Sequence, residues 1–157
     1  MSTLYVDNLQ PNLGSRVMAA GHVVQVVQAV STTSESTTNT SYVQSNLAAT
    51  ITPTSASSKV LVVCTFEGQI NTASLTGYFT IYRGASNLAD GTGGQFIRLE
   101  SVGGTWFGAQ TISWLDSPST TSSTEYSLYY KSQTSSLTTS LGLSSCPSVM
   151  TLMEIAQ

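Results

Sequence analysis

Apolar and polar residues alternate with a period of two through most of this chain, and that period belongs to strands. Residues 59–69 show it most clearly. Val60, Val62, Cys64 and Phe66 fall on one face, and Leu61, Val63, Thr65 and Glu67 on the other. Both faces begin apolar, which predicts a strand buried on two sides near its start. The same reading finds strands at 22–30, 42–52, 75–83, 95–101, 105–115, 125–131, 137–143 and 148–156. Turn signals separate them at Pro53, Asn71, the glycine-rich stretch 84–94, Gly103-Gly104 and Asp116-Ser117-Pro118. About eight or nine antiparallel strands result, a spacing that predicts an all-β sandwich or jelly roll rather than alternating strands and helices. No fixed-period repeat marks a propeller or a solenoid.

Composition narrows the function. Serine and threonine supply 49 of 157 residues, and charged residues only 8%. Hydroxyl wealth goes with disorder when β-branched and aromatic residues are scarce, and here they are plentiful. One folded domain is expected. The net charge is −3, and the five basic residues, Arg16, Lys59, Arg83, Arg98 and Lys131, are scattered singly. Nucleic-acid binding needs a clustered basic face, so it is disfavoured. The apolar stretch 17–30 is interrupted by His22, Gln25 and Gln28 and falls short of the roughly 18 residues that span a bilayer, so no membrane insertion is expected. No basic region precedes it and no clear cleavage site follows, so export through a signal peptide is not indicated. Without that signal, Cys64 and Cys146 are expected as two buried thiols rather than a disulfide.

The inventory for chemistry is thin. His22 is the single histidine, and no Gly-x-Ser-x-Gly nucleophile motif occurs. Cys64, Cys146 and His22 are too far apart in sequence to form a metal motif. The carboxylates Glu67, Asp90, Glu100, Asp116, Glu125 and Glu154 are dispersed, whereas a glycosidase needs two of them across one cleft. The expectation is a protein that is not an enzyme and needs no cofactor.

Binding is the alternative to catalysis, and three surfaces are candidates. Residues 1–21 carry breakers and too few periodic apolar positions to pack alone, so they are expected as an extended N-terminal arm that docks elsewhere. Leu4, Tyr5, Val6, Leu9 and Pro11 are its candidate docking residues. The last strand is apolar on both faces, and at the edge of a monomer it would invite aggregation. Burial between subunits removes that hazard, with Met150, Leu152 and Ile155 as contacts; a central strand in one subunit is the plainer option. Tyr82 and Tyr130 join that interface list, with Tyr78, Tyr126 and Tyr129 as further interface tyrosines, because a ring with a polar tip suits an interface. The receptor-facing candidates lie in loops: Asn71, Asp90, Gly91, Gly103 and Gly104, with Trp106 beside them, although the core is the leading expectation for the Trp106 ring. Trp114, on the face of Ile112, is expected in the core.

Several segments resemble a family. The run 46–62 (Asn-Leu-Ala-Ala-Thr-Ile-Thr-Pro-Thr-Ser-Ala-Ser-Ser-Lys-Val-Leu-Val), with Ile81-Tyr82-Arg83-Gly84, Trp114-Leu115-Asp116-Ser117-Pro118 and Thr151-Leu152-Met153-Glu154-Ile155, is similar to small fibre-type virion proteins of tailed bacteriophages of marine bacteria, including cyanobacterial phages. The leader 4–11 and residues 21–26 share the resemblance. It implies a jelly-roll knob over residues 22–157, shaped like the trimers of the tumour-necrosis-factor and complement families. It further implies a homotrimer in the virion, assembled in the host cytoplasm, with the arm on another tail or capsid protein. The expected function is host-surface adhesion, with a surface glycan as candidate ligand, or particle decoration. A monomeric carbohydrate-binding module or lectin is the alternative, and an internal tail adaptor is a third.

Overall fold

The computed structural model describes residues 19–72, 74–89, 93–142 and 146–157. The docking residues Leu4, Tyr5, Val6, Leu9 and Pro11 lie outside them, as do the loop candidates Asp90 and Gly91. The described residues form strands and no helix: β1 (Val23–Ser31), β2 (Glu35–Thr37), β3 (Val43–Ile51), β4 (Lys59–Ile70), β5 (Thr76–Arg83), β6 (Ser86–Asn87), β7 (Ile97–Glu100), β8 (Trp106–Asp116), β9 (Thr124–Ser132), β10 (Thr139–Leu141) and β11 (Ser148–Ile155). Each strand expected from alternation is present. The additions, β2 and β6, sit in stretches whose hydroxyls and glycines read as loop.

All pairings are antiparallel, and they build two sheets. In the first, β11 pairs residues 59–65 of β4 and β10 pairs residues 68–70, so the two form one column beside β4. β1 and β2 form the next column outward, and β8 covers the other side of β4 along residues 60–70. The second sheet has the order β3-β9-β5, with β6 and β7 sharing the far side of β5.

The sheets stack because each strand turns one apolar row inward. Leu47 and Ile51 of β3, Val60, Val62 and Phe66 of β4, Phe79 and Ile81 of β5, Tyr126 and Leu128 of β9, and Met150 and Leu152 of β11 are all buried. Phe66 and Phe79 meet with ring centroids 5.0 Å apart, which joins the sheets at their centre. The chain enters beside its own end: Gly21 N–H donates to the Ala156 carbonyl at 2.8 Å, and Ala156 N–H to that of His22 at 2.9 Å. That fixes a proximal end beside Gly21 and Ala156 and a distal end where Ile70 of β4 pairs Trp106 of β8.

One expectation fails here. β11 is a central strand between β1 and β4, and Met150 and Leu152 are wholly buried in one copy. Tyr130 is 3% exposed in the same core. These three side chains are therefore not available to a second copy. The physical reason is the pleat: an apolar strand inside a sheet gives one face to the core, and only its odd-numbered residues Val149, Thr151, Met153 and Ile155 reach the outside. The two-sided apolarity of β4 is likewise not two-sided burial in one copy, since Leu61 and Val63 stay partly exposed.

Candidate functional site

The ionisable groups that chemistry would need are tied into structure. Asp116 is 7% exposed; it accepts from Arg83 at 2.9 and 2.7 Å through its two oxygens and from the Tyr126 hydroxyl at 2.7 Å. Burial and the adjacent Asp116 carboxylate hold the Tyr126 hydroxyl protonated, as a donor must be. Glu154 is fully buried in one copy, with one oxygen taking Thr54 N–H at 2.8 Å and Thr54 Oγ1 at 2.7 Å, and the other taking Gln25 Nε2 at 2.6 Å. Burial pushes its pKa up, but hydrogen bonds from Gln25, Thr54 and Ser58 outweigh that and hold it below the usual range. Glu35 accepts Asn46 N–H at 2.9 Å where the β3–β9 ladder is interrupted, and burial raises its pKa. Cys64 is buried, its thiol pushed up to about 12 by desolvation. Cys146, expected to be buried, is exposed and unpaired, its pKa raised by the neighbouring Glu67 carboxylate. Among the described residues no group of three histidine, cysteine or carboxylate side chains is placed to hold a metal ion.

The outer face of the first sheet is different in kind. Antiparallel register sets its outward residues in rows across four strands. One row is Val26, Met153, Leu61 and Leu115; the next is Gln28, Thr151, Val63 and Ser113; the third is Val30, Val149, Thr65 and Thr111. Val26 is 57% exposed, Val30 56% and Leu115 48%. These three rows carry no charge; the flanking rows of the same face hold Lys59, beside Ile155, and Glu67, beside Ala109. Four of the five polar members bond one another: Gln28 Nε2 donates to Thr151 Oγ1 at 3.2 Å, and the Thr65 and Thr111 hydroxyls meet at 3.1 Å. Of the expected interface residues, only Ile155 lies on this face. The others were missed because alternation shows that a strand has two apolar faces but not which one the core takes.

The distal end collects three of the loop candidates. Ser74 N–H donates to the Ser101 carbonyl, and the Ser101 hydroxyl donates to that of Gly104, which ties the turn after Asn71 to the Gly103–Gly104 turn. Gly104 has φ +117°, a conformation open to glycine. Asn71 Oδ1 accepts Thr138 N–H at 2.9 Å, so its side chain first closes a turn. Trp106 begins β8, 36% exposed. Trp114, expected in the core, is 41% exposed with its ring 5.2 Å from that of Phe96. β8 is an edge strand, so its inward face lies at the rim of the sandwich, and only Ile112 reaches the core.

The tyrosines divide by sheet face. Tyr126 and Tyr130 point inward, whereas Tyr78, Tyr82 and Tyr129 point outward from the second sheet. The Tyr82 and Tyr129 rings stack at 4.0 Å, and Tyr42 meets Tyr82 edge-on at 6.1 Å. Sequence spacing gave no sign of Tyr42, which joins this cluster from the start of β3. No protein-family model matches the chain, and no curated protein matches it.

Proposed function

We propose that this chain is a non-enzymatic structural protein of a bacteriophage particle, a jelly-roll knob that assembles as a homotrimer and is displayed for attachment to the host surface. The observation that carries the assembly is the partly exposed apolar face on β1, β11, β4 and β8, whose three central rows hold no charge. Covering each half-exposed valine or leucine there contributes on the order of 1 kcal/mol. Its threonines and glutamine already bond one another, so covering them leaves few groups unsatisfied. These three rows offer nothing to a charged partner, and their apolar side chains are suited to meet those of other copies around a three-fold axis. β8 adds a second reason: it is a long edge strand with Phe107 and Leu115 exposed, the kind of edge that invites another chain.

The strand order supports the jelly-roll reading. Numbered by column along the chain, the sheets run 1-8-3-6 and 2-7-4-5, the interleaving of two Greek keys. The trimeric stoichiometry and the virion setting rest on the resemblance to phage fibre-type proteins. Residues 1–21 then serve as the arm that docks on another virion protein, and it joins the knob at the proximal end, which leaves the distal loops free. The dispersal of carboxylates into structural bonds supports a role without catalysis.

Antibody labelling of intact particles, with mass measurement of the chain released from them by mild disruption, tests this reading. Surface labelling and a species three times the 16.5 kDa chain are expected. A chain missing from purified particles, or buried inside them beyond antibody reach, contradicts it.

A further inference from the structure

The outer surface of the second sheet holds a cleft of about 370 Å³, lined by Thr40, Tyr78, Gly93, Gln95, Lys131, Ser132 and Gln133. It falls within the size range of small-ligand sites. Tyr78 on β5 and Lys131 on β9 are directly paired across the ladder, which places a ring and a cation side by side. Adjacent Gly77 leaves no room for a Cβ against Ile70, so this part of β5 lies at the distal end, away from Gly21 and Ala156. The cleft and the apolar assembly face are on opposite sheets.

Lys131 is the distinctive group. Its Nζ lies 4.6 Å from the Tyr42 ring centroid and 5.3 Å from that of Tyr78, an arrangement that holds an ammonium by cation–π attraction. Among the described residues no carboxylate pairs with it, whereas Arg83 is paired with Asp116 and Arg98 with Glu100. Lys59 lies at the proximal end of the other sheet. Among the described residues, the distal end thus keeps one unpaired cation, over aromatic faces and at the rim of a cleft.

The rest of the lining is neutral and polar. Gln133 Oε1 is taken by Thr76 N–H at 2.9 Å, which leaves its amide nitrogen to donate. Gln95 and Thr40 add an amide and a hydroxyl. The Ser132 hydroxyl is engaged with the Thr37 carbonyl and Thr139, so it is wall rather than ligand. The Tyr42 hydroxyl is buried and has no hydrogen-bond partner among the described residues. One cation, several neutral donors and acceptors, and one aromatic ring match a molecule with a single negative charge, several hydroxyls and an apolar ring face.

We infer that this cleft binds an acidic sugar, a pyranose bearing one carboxylate, with the carboxylate on Lys131 and the ring hydroxyls on Gln95, Gln133 and Thr40. The inference rests on the adhesive reading for its purpose, since it gives host attachment a ligand class, but it uses residues that the assembly face does not. Three copies would present three clefts at one end, and weak single contacts would add through avidity.

Saturation-transfer NMR on the full chain tests it, with sodium glucuronate, glucose and sodium acetate as probes. Glucuronate is expected to bind saturably and roughly tenfold more tightly than either glucose or acetate, about the gain of one charge-assisted hydrogen bond. Lys131→Gln should reduce glucuronate to the level of glucose, and Gln95→Ala should weaken both sugars while leaving acetate unchanged. Unchanged melting temperatures would show that both variants fold. Glucuronate binding no tighter than acetate, or a preference that survives Lys131→Gln, overturns the inference. Light scattering on the same samples separates the two readings. A trimer that ignores glucuronate sinks the cleft alone, and a monomer that binds it sinks the assembly alone.

Discussion

Glu154 shows how a single side chain fastens this sandwich. It is a carboxylate with no exposed surface in a chain poor in charge, and its two oxygens collect donors from β1 and from the turn after Pro53. Glutamine in its place offers one acceptor oxygen and turns an NH2 toward the other donors, so Glu154→Gln should cost about 1–3 kcal/mol at neutral pH. The pH dependence follows from the lowered pKa. A carboxylate whose folded pKa lies below its unfolded value stabilises the fold above the unfolded value, roughly pH 4.3, and that stability is lost as pH falls through the folded value. The gap in melting temperature between the parent chain and Glu154→Gln should therefore be widest at pH 7 and shrink by pH 3. Thermal melts by circular dichroism at the two pH values check this, and a gap of constant size would speak against it. Nothing in the alternation of residues 148–156 marked Glu154 as buried. That it shares a face with Met150 and Leu152 is legible, but not that this face is the inward one, and its partners come from segments about 100 or more residues away.

At the scale of the strand, close sheet contact depends on positions without a side chain. A Cβ on Gly77 of β5 would lie 2.7 Å from Ile70 Cγ2 and 3.0 Å from the Thr139 side chain. Gly77→Ala must push β4 or β10 aside, so it should destabilise by about 1–3 kcal/mol. Denaturant unfolding measures this; a neutral result would mean that the sheets are not in contact there. The strands with strict alternation were legible because burial of one face enforces the pattern. β2 and β6 were not. Glu35–Thr37 and Ser86–Asn87 carry no apolar row, and they are strands only because a neighbouring strand's backbone accepts them. β11 was found as a strand but assigned to the wrong environment. A chain end does not reveal whether its strand lies at a sheet edge, and here β1 returns to cover it.

At the scale of the whole molecule, the described surface has two unlike sides: an apolar face with three uncharged rows on one sheet and a tyrosine-lined polar face with an unpaired lysine on the other. Sequence carried the first partly, through the second apolar row of β4 and β11. It carried the second hardly at all, because Thr40, Tyr78, Gln95 and Lys131 meet only after four separated segments are laid side by side. Of the distal loop candidates, Asn71, Gly103, Gly104 and Trp106 do cluster, since turn chemistry marks loop tips and long strands carry them to the same end. The central claim is that copies of this chain cover one another's apolar face. Val26 and Leu115 are about half exposed in one copy, so Val26→Lys and Leu115→Lys should change the stability of an isolated subunit by no more than roughly 0.5 kcal/mol. Across an interface, each would bury an unpaired ammonium. Sedimentation equilibrium of the intact chain and these two variants at micromolar concentration is the most direct measurement. The account predicts a mass three times 16.5 kDa for the parent and 16.5 kDa for folded variants. A parent chain that sediments as a folded monomer would contradict it.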